Sequence, residues 1–153
     1  MEKEKEKNRK GIRAWLDPTV PNNLERWAYF FQRVTGIGIL AYVIGHLGDT
    51  SFFVGGPFGT GPNQSSWSSG LSITENIVGH IILIVVVLIV TFHGINGIRL
   101  ILAELGILVG KPSRIEYPYK PSSLKSAQRH IIWAAIILAL IAAVWAGTIL
   151  FGE

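Results

Sequence analysis

The chain has 153 residues, 49% of them hydrophobic and only 16% charged; that is long enough for one domain, yet the charges gather where a water-soluble protein has no need of them. The absence of cysteine excludes disulfides, thiolate metal sites and an iron–sulfur cluster held by this chain. The net charge of +4 reports on membrane topology rather than on nucleic acid, because the basic residues flank long apolar runs.

In chain order, residues 1–21 open with the sign-alternating "MEKEKEKNRKGIR". That stretch lacks an apolar segment, so it reads as a solvated tail and not as a cleavable signal peptide. The first predicted helix covers about residues 23–48, with Asn22 or Asn23 as cap and Glu25 in the first turn. Its interruptions between Trp27 and Leu47 include Gln32, Arg33 and His46. "GGPFGTGPNQSSWSSG" reads as an irregular connection, with Trp67 as an interfacial anchor.

The second predicted helix, 73–106, takes Ser72 or Thr74 as cap, and from Ile77 to Phe92 only His80 and Thr91 are polar. At 1.5 Å per residue it is about 50 Å long against a hydrocarbon core of about 30 Å. Its last turns, from about Arg99, are therefore expected to project from the membrane. After the proline-rich "KPSRIEYPYKPSS", available to a partner or to lipid headgroups, a third helix over 123–151 is capped by Ser122 or Ser123. His130 opens it as a structural residue at the interface, and Thr148 is its one polar interruption beyond Ile131. The expected fold is all-α: residues 22–153 form a single integral membrane domain, a three-helix antiparallel bundle.

Orientation follows from the basic residues. Lys3, Lys5, Lys7, Arg9, Lys10, Arg13 and Arg26 precede the first span, and Lys111, Arg114, Lys120, Lys125 and Arg129 lie between the second and third, whereas the 49–71 loop has none. The positive-inside rule makes the N-terminus cytoplasmic and the C-terminus external. With no repeat, glycine-rich phosphate loop or paired carboxylates in a cleft, the chain alone is not expected to perform hydrolysis or phosphoryl transfer.

Ionisable groups at membrane depth are costly and mark protein interiors, cavities or cofactors. Arg33 lies 13 residues before His46, and His80 lies 13 before His93, each gap about 20 Å of rise. Because the two helices run in opposite directions, His46 and His80 fall at the outer level and Arg33 and His93 at the inner one. A lone intramembrane histidine satisfies itself by bonding a hydroxyl or carbonyl as readily as by binding haem iron, for which neutral imidazole is a strong axial ligand. Gly94 and Gly97 beside His93, and Gly36, Gly38 and Gly45 on the first helix, admit either a flat macrocycle or close helix packing. Arg33 either snorkels to the headgroups or, with Tyr29 one turn earlier, faces a cofactor carboxylate or a quinone oxygen.

"FQRVTGIGIL" resembles the first-helix motif of the cytochrome b subunit of succinate dehydrogenase, Ser-x-x-His-Arg-x-Ser/Thr-Gly. "HGINGIRLILAELG" resembles its second-helix signature, His-x-x-x-Gly-Ile-Arg-His-x-x-x-Asp-x-Gly, with His93, Gly97, Ile98, Arg99 and Gly106 in register. The resemblance covers roughly residues 20–150. It implies haem b, with His93 as axial iron ligand and Arg99 and Gly97 beside the haem, and it implies Arg33 and Tyr29 at the quinone. His46 resembles the outer ligand of two-haem members, so the implied count is one haem or two. Gln32, Tyr29, Leu100 and Glu104 depart from the family's histidine, serine, histidine and aspartate. The implied assembly joins a flavoprotein, an iron–sulfur subunit and a second small anchor subunit in a prokaryotic plasma membrane, passing electrons from succinate to quinone. A fumarate reductase anchor and a haem-free membrane scaffold are the alternative readings.

Overall fold

The computed structural model describes residues 23–52, 64–110 and 127–152. The charged tail, Asn22, the basic residues Lys111 to Lys125 and the expected caps Ser122 and Ser123 lie outside them. Among the described residues four helices follow in order: α1 Asn23–Phe52, α2 Gln64–Thr74, α3 Ile77–Glu104 and α4 Ala127–Phe151. Three of them, α1, α3 and α4, are long and apolar enough to cross a membrane. At 30, 28 and 25 residues they reach about 37–45 Å, enough to span with turns to spare.

The second span is shorter than its apolar pattern predicts, and part of the expected irregular loop is helical. Thr74 and Ser72 do not cap it; their hydroxyls bond back to Leu71 and Ser69 carbonyls inside α2. The chain breaks at Asn76, whose extended backbone (φ −85°, ψ 163°) frees its side chain to accept from the Gly79 amide at 2.9 Å. An asparagine oxygen there satisfies one of the orphan N–H groups of the new helix. Gly79 permits the tight corner, since a Cβ at that position would stand 2.5 Å from the Ile73 carbonyl oxygen. At the other end, α3 stops at Gly106, whose φ of 77° suits a residue without Cβ.

Packing is closest between α3 and α4. The face of α4 that meets α3 carries Ala135, Ala139 and Ala143, all buried. Ala135 and Ala139 join Phe92 in one cluster, flanked by Leu88, Ile95 and Ile136. Alanine every fourth residue lets two helices approach closely where apolar surroundings supply no hydrophobic drive for association. On α1, Gly38 does the same, with Ile89 Cδ1 3.1 Å from where its Cβ would be. An apolar groove of about 260 Å³ runs where α1 and α4 diverge, lined by Trp27, Phe31, Leu88, Ile136 and Leu140 among others.

The distribution of polarity is inverted relative to a water-soluble protein. Ile37, Leu40 and Ile44 on α1 and Ile141, Val144 and Trp145 on α4 face outward, each more than half exposed. Thr35, Asn96, Arg99 and Gln128 are buried instead. In hydrocarbon a greasy exterior costs nothing, while polar groups must find partners inside the protein.

Candidate functional site

The buried polar residues converge on His93. Its ring rests against α1, where a Cβ on Gly36 would lie 3.1 Å from His93 Cε1. Thr35 is held by its own helix: its hydroxyl donates to the Phe31 carbonyl at 2.6 Å, with the Gln32 carbonyl at 3.2 Å. A hydroxyl has one proton to give. Across the 3.1 Å between Thr35 Oγ1 and His93 Nδ1, a Thr35 proton committed to Phe31 leaves the oxygen to accept, which favours the tautomer with the proton on Nδ1. In that tautomer Nε2 is left with the lone pair, which is the form of imidazole that binds a metal, with its other nitrogen oriented by an acceptor.

Beyond His93 the polar contacts continue along the bundle axis. Gln32 Nε2 lies 3.4 Å from His93 Nε2 and also donates to the His93 carbonyl at 3.3 Å. Asn96 donates to Gln32 Oε1 at 2.8 Å and makes a longer contact of 3.4 Å to the Ala28 carbonyl. Arg99 gives Nε to Asn96 Oδ1 and Nη1 to Gln128 Oε1, both at 2.8 Å, and Gln128 reaches the Leu108 carbonyl at 3.4 Å. All three spans contribute to this set. At its edge, the Arg129–Glu25 ion pair (2.8 Å) ties α4 to α1.

Arg99 is only 4% exposed; its guanidinium turns inward because Asn96 precedes it by three residues, on the same helix face, and Gln128 faces it from α4. Gly97 serves Gln32, whose Nε2 would be 3.4 Å from a Cβ there, while Gly94 is exposed with open space beside it. Leu100 is half-buried and Glu104 exposed.

The remaining expected site residues lie apart from His93. Arg33 Nη2 donates to the Tyr29 hydroxyl, and the guanidinium carbon stands 4.5 Å from the Tyr29 ring centroid. Both residues are exposed, and the four-residue spacing makes them one unit on a single face of α1. His46 is exposed and stacks on Tyr42, ring centroids 5.7 Å apart at 10°. It lies 11 residues beyond Thr35, about 16 Å along the helix. His80 packs edge-on against Phe151 at 5.2 Å, and His46 and His80 are not brought to His93.

Sequence reasoning did not single out Thr35, Asn96 or Gln128. Asn96 carried a signal, as an amide midway between His93 and Arg99 in an apolar helix; Gln128 carried little, since polar residues are ordinary at a helix start. No group of three or more His, Cys, Asp or Glu that could hold a metal ion occurs among the described residues. A haem asks less of the chain, because its macrocycle supplies most of the iron's ligands and the protein adds axial ones. The His93 ring fits that demand, with Nδ1 anchored beside Thr35 and Nε2 met only by the long contact from Gln32.

Inverted polarity, three spans and an inward-facing histidine–arginine network define a class: a multi-pass integral membrane helical bundle built around intramembrane polar groups. More particularly, the chain matches the family of succinate dehydrogenase/fumarate reductase transmembrane subunits over residues 13–148, and it belongs to that family. It is thus a membrane subunit of an oxidoreductase complex with partner subunits. No curated protein and no solved structure matches the chain.

Proposed function

We propose that the chain is the cytochrome b anchor of a succinate:quinone oxidoreductase, holding haem b through His93 and offering Arg33 and Tyr29 to quinone. The observation that carries this reading is the placement of His93, whose Nδ1 lies 3.1 Å from a Thr35 oxygen with its own proton directed to the Phe31 carbonyl, an arrangement that favours the lone pair on Nε2. A bound haem supplies one-electron storage between the iron–sulfur subunit and quinone. The chain's own residues would hold it: His93 would supply a ligand nitrogen, Thr35 and Gly36 seat the imidazole ring, and Gly94 leaves the helix surface clear. Arg99 supports the site from within the bundle through Asn96 and Gln32.

The Tyr29–Arg33 pair faces outward, where a second anchor subunit would complete a pocket that one three-helix chain cannot enclose. A cation and a hydroxyl placed together stabilise negative charge developing on a quinone oxygen. The basic residues before α1 and between α3 and α4 favour a cytoplasmic N-terminus and a cytoplasmic docking face for the flavoprotein and iron–sulfur subunits.

In the purified complex, a reduced-minus-oxidised spectrum should show a b-type band that His93→Ala abolishes; a band retained in that variant removes His93 as ligand. Arg33→Leu should slow quinone reduction by about a hundredfold while sparing electron transfer from succinate to an artificial dye, and equal loss of both counts against the quinone assignment. Haem per complex, measured beside His46→Ala and His80→Ala, decides whether the outer end carries a second haem. Comparing succinate oxidation with fumarate reduction fixes the direction.

A further inference from the structure

His93 is satisfied from both sides, and the two sides agree. The Thr35 side favours Nδ1–H, because the Thr35 proton goes to the Phe31 carbonyl at the shorter distance. The opposite side runs through carboxamides, whose two ends are interchangeable in shape but opposite in hydrogen-bonding sense, so their orientation has to be imposed by a group that cannot be reversed. Arg99 is that group, because a guanidinium only donates. Facing Arg99 Nε at 2.8 Å, Asn96 must present its oxygen, and its NH₂ then points to Gln32. Gln32 must in turn present its oxygen to Asn96 at 2.8 Å, which leaves its own NH₂ 3.4 Å from His93 Nε2. A reversed Asn96 would set donor against donor at Arg99, and a reversed Gln32 would set donor against donor at Asn96.

We propose that Arg99 is a positioning residue for His93: acting through Asn96 and Gln32, it holds an amide donor against Nε2, excludes the Nε2–H tautomer and keeps the ligand nitrogen proton-free before any metal reaches it. Gln32 is then a resident stand-in for the iron. At 3.4 Å its contact is long for a hydrogen bond, so it meets the lone pair without holding it tightly. The same geometry explains why Arg99 is buried six residues beyond His93 without touching it. The purpose assigned to this relay rests on the reading of His93 as a haem ligand, but the tautomer itself is a property of the chain and is read without haem.

The test is nitrogen NMR of the full chain in lipid bilayers without haem, labelled with ¹⁵N-histidine. The chain has four histidines, and His93 is assigned by the signal lost in His93→Gln. Thr35→Val removes the acceptor at Nδ1 and leaves the relay as the sole restraint. Wild type and Thr35→Val should both show Nδ1 protonated and Nε2 bare. Thr35→Val combined with Arg99→Gln, whose amide can present either end, should gain a second signal from Nε2–H. Thr35→Val combined with Gln32→Met should do the same, and it decides the matter if the arginine variant does not fold. A mixture already present in Thr35→Val alone, or a single Nδ1–H form persisting in the Gln32→Met double variant, overturns the proposal. A b-type band surviving His93→Ala would instead overturn the haem reading and leave the relay intact.

Discussion

Asn96→Leu is the sharpest probe of the buried network. Asn96 is fully buried and joins two partners at 2.8 Å, accepting from Arg99 and donating to Gln32. Leucine keeps approximately the volume but leaves a buried guanidinium N–H and a buried amide oxygen with no partner. Side-chain hydrogen bonds in membrane proteins average about 0.6 kcal/mol, which for two bonds gives about 1.2 kcal/mol. That average reflects groups able to find other partners once the bond is cut. Arg99, 4% exposed and already spending Nη1 on Gln128, has little such freedom. The larger scale for stranding a charged donor, about 1.5–3 kcal/mol, plus about 1 kcal/mol for the neutral bond, is the appropriate one. The expected loss is about 3 kcal/mol, somewhat over a hundredfold in the folding equilibrium. Reversible unfolding in mixed micelles by denaturing detergent measures it, with Asn96→Asp as a milder companion that keeps an acceptor for Arg99. A loss below about 1 kcal/mol in Asn96→Leu would refute the claim that all three spans are tied together through Asn96.

Three further outcomes follow from the packing. Gly36→Ala gains about 1 kcal/mol in helix propensity, but it sets a methyl 3.1 Å from His93 Cε1 at an overpacking cost of about 1–3 kcal/mol. Net destabilisation and a lower haem-to-protein ratio in the purified complex are expected. Gly79→Ala places its Cβ 2.5 and 2.6 Å from two backbone carbonyl oxygens, so the corner between α2 and α3 must open; hydrogen exchange across Ser68 to Glu75 should speed up while α4 is unchanged. Glu25→Gln breaks an ion pair whose arginine is half exposed. It should cost less than about 1 kcal/mol, and the difference from wild type should shrink as salt is raised in unfolding experiments.

The three spans were legible because crossing a membrane is nearly a one-dimensional requirement: enough consecutive apolar residues to cover a fixed thickness, which Ile77–Phe92 and Ile131–Phe151 meet on composition alone. His93 was legible as an anomaly, since an ionisable group in hydrocarbon announces itself wherever it points. The start of α3 was not. Ser72, Thr74 and Asn76 are all competent caps by chemistry, and the choice fell to Asn76 because Gly79 allows α2 to fold back against that corner.

What the sequence by itself determined is the class of the protein, the number of spans and the presence of costly polar groups within them, because lipid selects side chains by polarity regardless of neighbours. Which of those groups meet was decided only in three dimensions. Arg99 has no partner legible in the sequence until the rotation and axial offset of α3 and α4 bring Gln128 to its guanidinium. Thr35 is a motif hydroxyl with no assigned partner until α1 sets it 3.1 Å from the His93 ring. A hydrogen bond needs a donor and an acceptor within about 3 Å and correctly aimed, and residues 58 positions apart acquire that relation only through the packing of the helices that carry them.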